Sequence, residues 1–127
     1  MLRENEDGTI TLTLVGPFSS KKNKRRGTGK HSHYPPNIKA EIQSIELQAR
    51  CDWGYRKPLK HPVMSYQFVT PVLSKDRDGL WTTVLDCLKN AGVIVDDSIR
   101  YFNGTVVQHP AITNEVYEAV VIKISPA

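Results

Sequence analysis

One stretch of the sequence, Lys75 to Arg100, constrains the fold more than any other, because an apolar helical pattern lies in it between two groups of aspartates. Apolar residues recur at helical spacing from Leu80 to Ala91. Gly92 follows at the position where helices commonly end in a left-handed residue. The sequence therefore predicts a helix over residues 80–91 that stops at Gly92.

The aspartates on the two sides of this helix are expected to meet. Asp76 and Asp78 stand two residues apart, so an extended backbone would direct both carboxylates to one side. The helix rises about 18 Å, and an extended segment from Val93 to Asp97 returns about 16 Å. Clustered carboxylates repel one another unless a cation neutralises them, and hard oxygen ligands suit Mg²⁺ or Mn²⁺. The spacing predicts a metal site of the phosphodiesterase type.

A purely structural interpretation of the same aspartates stays open. Asp78 is a favourable N-cap for the helix that follows, and Asp96 with Asp97 is typical of a polar turn before a strand. A phosphoryl or glycosyl transferase is a weaker alternative, because the sequence has no Gly-rich phosphate loop.

Composition limits the possible classes of protein. The length of 127 residues fits one domain with one core, spanning residues 1–127. Lys and Arg outnumber Asp and Glu by 17 to 13, which favours a polyanionic partner. Cys51 and Cys87 are too few for a zinc site or a disulfide framework. No apolar run suits a signal peptide or a membrane span, so we expect a soluble cytoplasmic protein without a membrane partner.

A basic loop is predicted at residues 21–33, which contain no aliphatic residue and two glycines. Such a loop neutralises nucleic-acid phosphates or is simply a solvated surface, and composition leaves both open. His31 and His33 fit the same polar loop better than a zinc site, since no further ligand stands at a suitable spacing. The basic residues of the loop are Lys21, Lys22, Lys24, Arg25, Arg26 and Lys30.

The other patterns predict an α+β fold. An amphipathic helix begins near Pro36 and ends near Cys51, with Ile38, Ile42, Ile45 and Ala49 on one face. The segment from Asp52 to Pro62 is a second basic connection, and Trp53 and Trp81 suit either the core or base stacking. Strands are predicted at Thr9–Val15, Pro62–Pro71, Ile99–Gln108 and Val116–Ile124.

The last two strands are expected to pair as an antiparallel hairpin that closes the sheet. The predicted architecture is thus a single domain with a mixed β-sheet and two helices, in the order β-α-β-α-β-β.

The stretch from Asp76 to Asp97 resembles the signature of the RusA family of Holliday junction resolvases. The sequences DRDG and VLDCLKNAGVIVDD are similar to the family's Asp-x-Asp-Asn, its Leu-Asp-Ala-Leu helix, and its Gly-Val-Ile with an Asp-Asp pair. The spacing from Asp78 to Asp97 matches without insertion or deletion. The first strand and the turn from Gly16 to Asn23 are also similar to the family's opening strand and Pro-Pro-Ser-x-Asn turn. The resemblance spans most of the chain, but only the aspartate stretch is specific.

The resemblance implies a RusA-like fold and a homodimeric, Mg²⁺-dependent endodeoxyribonuclease that resolves Holliday junctions or other branched DNA by paired nicks. Asp76, Asp78 and Asp97 match the family's catalytic metal ligands. Two positions depart from the pattern: Gly79 replaces an Asn, and Thr82 replaces a Lys that would help to hold the scissile phosphate.

The second departure leaves two expectations. Either the charge of the transition state is met by the metal, by Lys75 or by the basic loop, or the protein binds DNA junctions with weak or lost cleavage. Lys89 is too distant to replace the missing Lys, because it lies about 10 Å further along the helix from Thr82.

Overall fold

The computed structural model of the chain describes residues 1–18, 36–60, 62–70, 77–95, 106–113 and 118–125. Two helices and one mixed sheet form an α+β fold, and their order agrees with the predicted β-α-β-α-β-β apart from two short additional strands. The elements are β1 (Leu2–Glu4), β2 (Ile10–Val15), α1 (Pro36–Trp53), β3 (Val63–Thr70), α2 (Arg77–Asn90), β4 (Val106–Gln108), β5 (Ile112–Thr113) and β6 (Ala119–Ser125).

Strand β6 lies in the middle of the sheet, whose order is β1-β2-β6-β3-β4. It is antiparallel to both β2 and β3, so β2 and β3 run in the same direction. The predicted hairpin between the last two strands is therefore wrong, because β3 separates β4 from β6. From Val120 to Ser125 its buried residues alternate with partly buried or exposed ones, so one face of this central strand packs on the core.

The other edge of the sheet consists of two short strands in succession. Both β4 and β5 pair with β3 in parallel, at Met64–Tyr66 and Val69–Thr70 respectively. Between them, the His109 N–H donates to the Tyr66 carbonyl at 2.9 Å, and the Gln67 amide donates to the Pro110 carbonyl at 2.9 Å. The unit β3-α2-β4 is thus a β-α-β crossover between adjacent parallel strands.

The core lies between the helices and one face of the sheet. Alternate residues of β2, β3 and β6 are buried there, together with one side of each helix. Both tryptophans, for which the sequence left core packing and base stacking open, lie in the core, since Trp53 is 2% exposed and Trp81 is 8% exposed. The Trp81 ring is stacked on Tyr66 with centroids 4.0 Å apart. Because Trp81 belongs to the second turn of α2, this contact positions the beginning of the helix on β3.

Helix α1 is attached to the end of β2 through Gln48. Its side-chain amide donates to the Val15 carbonyl at 2.8 Å, and its amide oxygen accepts from the Val15 N–H at 2.8 Å. Strand β1 is too short to reach this level of β2, so the two backbone groups would otherwise have no partner in the sheet. Gln48 therefore provides the hydrogen bonds that a longer edge strand would provide.

None of the helices in the described ranges combines the length and apolar character that a membrane span needs.

Candidate functional site

The predicted metal site depends first on where helix α2 begins. The helix starts at Arg77, three residues before the predicted start at Leu80, so the backbone of Asp78 lies in its first turn. The expectation of an extended backbone through residues 77 and 78 is wrong, because both residues are helical. Asp78 is the second residue of the helix and is therefore not its N-cap. Alternation along a strand thus does not explain how Asp76 and Asp78 would share an ion.

The middle of α2 follows the apolar pattern that predicted it. Leu80, Val84 and Leu88 are buried, and Leu85 and Ala91 are partly buried against the same core. This apolar stripe, together with the stacked Trp81, holds the helix against the sheet along its length.

The end of α2 turns the chain back by a Schellman motif. The Val93 N–H donates to the Leu88 carbonyl at 2.9 Å, and the Gly92 N–H donates to the Lys89 carbonyl at 3.1 Å. Gly92 has a φ of 83°, which confirms the predicted left-handed helix stop. Val93 and the following Ile94 are both buried, so the chain re-enters the core directly after the turn.

The returning chain is held by the segment that leads into β3. Ile94 forms a parallel bridge with Leu59, in which Leu59 N–H donates to the Val93 carbonyl at 2.9 Å and Val95 N–H donates to the Leu59 carbonyl at 3.0 Å. This described range ends at Val95, two residues before Asp97, so the predicted return of the chain to Asp76 lies outside the described residues.

Two predicted functional segments follow strands that finish at the same end of the sheet. Val15, Ala119 and Val69 form one row across β2, β6 and β3. The carboxyl ends of β2 and β3 therefore lie side by side. The segment that contains the basic loop follows β2, and the segment that contains Lys75 and Asp76 follows β3. Both predicted functional segments therefore begin at the same end of the sheet.

The chain is anchored where it leaves β2. The Gly16 N–H donates to the Glu118 carbonyl at 2.7 Å, and the Phe18 N–H donates to the Glu118 carboxylate at 3.0 Å. The Phe18 ring is buried and meets Phe68 edge to face at a centroid distance of 5.8 Å. Sequence reasoning gave Glu118 no role, since a single Glu before a strand carries no signal for contacts with residues about a hundred positions away. These contacts fix the point at which the basic segment begins.

Most of the predicted site residues lie outside the described residues. For Asp78 the structure gives the backbone in α2, and it places Thr82 and Lys89 on the exposed side of the same helix. Whether Asp97 lies beside Asp76 and Asp78 therefore stays a prediction. The residues outside the described ranges are Lys21, Lys22, Lys24, Arg25, Arg26, Lys30, His31, His33, Lys75, Asp76, Asp96 and Asp97.

Comparisons with known proteins give this chain no family. No protein-family model matches it, and no curated protein matches it.

Proposed function

We propose that the protein is a Mg²⁺-dependent, structure-specific endodeoxyribonuclease of the RusA type, which resolves Holliday junctions or other branched DNA by paired nicks. The observation that carries this proposal is the course of the chain between the aspartates. Helix α2 begins directly after Asp76, ends in the Schellman motif at Gly92, and is followed by the buried residues Val93 and Ile94 and the exposed Val95. This path supports an approach of Asp97 to the first two aspartates.

The proposed site consists of three carboxylates. Asp76, Asp78 and Asp97 offer only oxygen ligands, which fit Mg²⁺ and also Mn²⁺. A metal ion bound there would neutralise the acidic cluster, activate water and stabilise charge on the phosphate. Lys75 is adjacent to the first ligand in sequence, so we assign it the positive charge that Thr82 does not provide.

The proposed DNA contact is the basic loop. Its lysines and arginines follow the anchored carboxyl end of β2 in sequence. This strand end is level with the carboxyl end of β3, which the segment with Asp76 follows. This arrangement supports a DNA backbone bound by the loop close to the three carboxylates. A homodimer would supply two such sites to a junction with approximate two-fold symmetry. No disulfide joins the exposed Cys51 and the buried Cys87, which supports our assignment to a reducing cytoplasm.

The test uses a labelled four-way DNA junction with Mg²⁺. We expect Asp78→Asn to lose cleavage by at least about a hundredfold, because one ligand charge is removed from the metal site, while junction binding remains. Asp86→Asn is the matched control, since it makes the same change eight residues further along the same helix. The assignment is wrong if Asp78→Asn cuts the junction as fast as the unmodified protein.

A second candidate function is junction binding with weak or lost cleavage. The exposed Thr82, which stands where the family has a Lys, favours this alternative. Incubation of the junction with Mg²⁺ or Mn²⁺ separates the two functions, because a nuclease gives incised product whereas a binder gives only a shifted complex. If the missing cation is what limits catalysis, Thr82→Lys should increase incision without a comparable increase in junction affinity.

A further inference from the structure

A second basic surface lies at the end of the molecule where both helices finish. The Arg50 guanidinium donates to the carbonyl of Asn90, the last residue of α2, at 3.3 Å. Leu59 is bonded to the chain that follows α2, as described above. These contacts join the last turns of both helices and the connection after α1 into one surface. We define the helix-end surface as Arg50, Tyr55, Arg56, Lys57, Lys60 and Lys89.

The helix-end surface carries an excess of positive charge. Lys57 and Lys60 are exposed, and within the described residues neither forms an ion pair. Nearby acids are each engaged: Glu4 pairs with Arg56, Asp52 pairs with the amino group of Met1, and Glu46 accepts a hydrogen bond from the Asn90 amide at 3.0 Å. Lys57 and Lys60 are thus available to an anionic partner.

The connection after α1 is held in place at two points. The Gly54 N–H donates to the Arg50 carbonyl at 3.0 Å, with Gly54 at a φ of 63°. The Arg56 guanidinium donates to the Trp53 carbonyl at 3.2 Å and lies 5.9 Å from the centre of the Trp53 ring. Tyr55 stands between these anchors and is fully exposed, at 107% of its reference area. The surface therefore presents an aromatic ring on an anchored backbone.

We infer that the helix-end surface binds single-stranded nucleic acid. Lysines that neutralise phosphates next to an exposed aromatic ring that stacks on a base are the two components of such sites. Lys57, Lys60 and Lys89 contact the backbone, and Tyr55 stacks on an unpaired base. Duplex DNA keeps its bases within the stack, so we expect the lysines to contact its backbone but Tyr55 not to stack on its bases.

This surface is separate from the aspartate site. Asp78 and Asn90 are twelve positions apart in α2, which corresponds to about 18 Å along the helix axis. The inference goes beyond the proposed nuclease activity and does not depend on it. If the nuclease proposal and this inference are both correct, the helix-end surface binds an unpaired strand of a branched DNA at one end of α2, and cleavage takes place at the other end.

The test measures binding of a fluorescein-labelled oligothymidylate, by anisotropy, with EDTA present so that metal-dependent cleavage plays no part. We expect Lys57→Glu/Lys60→Glu to weaken binding by about tenfold or more and to reduce the slope of log affinity against log salt by about 1.4. Tyr55→Ala should weaken binding of the single strand by about tenfold but leave duplex binding unchanged, whereas Tyr55→Phe should retain both.

The matched control is Arg3→Glu/Lys123→Glu, which makes the same change of net charge on the opposite face of the sheet, in the row that contains Thr11. It should retain the affinity of the unmodified chain. Equal losses in the two double variants, or unchanged single-strand binding in Tyr55→Ala, would overturn the inference. It would also be overturned if polyglutamate competed as well as unlabelled oligothymidylate, because the surface would then bind acidic chains in general.

Discussion

Asp7 shows how one side chain fixes the turn between β1 and β2. Its carboxylate accepts hydrogen bonds from the Thr9 hydroxyl at 2.6 Å and from the Thr9 N–H at 3.0 Å. The hydroxyl bond lowers the pKa of Asp7 most, followed by the backbone bond, with a smaller effect from Lys123 at 3.9 Å. The charged form of the Asp7 carboxylate thus stabilises the turn of the β1–β2 hairpin.

A pH dependence of stability follows from this lowered pKa. The pKa of Asp7 is lower in the folded chain than its ordinary value of 3.8, so its contribution to the free energy of unfolding is fully present above that value. The contribution is lost as the pH falls through the lower folded pKa. Asp7→Ala should therefore be less stable than the unmodified chain at neutral pH, and the difference should disappear in acid.

Urea unfolding over a series of pH values measures this difference. Asp7→Asn is the control, because it keeps an acceptor oxygen but has no charge to titrate. A loss of stability in Asp7→Ala that is the same at neutral and acidic pH would contradict the assigned role.

At the scale of elements, the two helix ends provide a matched pair of positions. Gly92 and Gly54 both have positive φ, and both follow the last turn of a helix. An alanine at either position places a Cβ in the left-handed region, which costs about 1–2 kcal/mol. Only the turn at Gly92 determines the path toward Asp97.

We therefore expect Gly92→Ala and Gly54→Ala to lower the free energy of unfolding by similar amounts, measured in denaturant. Only Gly92→Ala should also weaken Mg²⁺ binding, measured by calorimetry under conditions in which both variants are folded. An equal effect of the two substitutions on Mg²⁺ affinity would show that the turn after α2 does not serve the metal site.

The sequence predicted the interiors of the long elements better than their ends. The apolar period found α1 and α2 because one side of each helix is buried, as Ile45 and Val84 illustrate. It placed the start of α2 too late, because residues 77–79 contain no apolar side chain and apolar periodicity therefore carries no signal there. Gly92 was predicted correctly because a left-handed stop requires a particular residue type.

At the scale of the molecule, the sequence predicted the fold class but not the strand pairing. Strand β1 was not predicted, because Leu2–Glu4 contributes little apolar area and lies at the edge of the sheet. The central place of β6 depends on contacts with strands far away in sequence. Its run of four apolar residues did not reveal this place, because one face of β6 packs on the core while the other holds the partly buried Val121 and the exposed Lys123.

Residue types and spacing favour a metal site at Asp76, Asp78 and Asp97, but they do not determine its geometry. The sequence indicates which acids would bind a metal, whereas their convergence depends on how the chain continues from Val95 to Asp97. A single bulge in that segment would direct the carboxylate elsewhere. The helical backbone at Asp78 shows that the local assumption of an extended chain fails, whereas the longer path to Asp97 stays a prediction.

The most direct test of the central claim is a crystal structure of the protein with Mn²⁺, in which the anomalous signal locates the ion. We predict an ion bound by the carboxylates of Asp76, Asp78 and Asp97 together, beyond the carboxyl end of β3. An ion bound without Asp97, with that side chain directed away from the other two, would contradict the proposed site and the nuclease function with it.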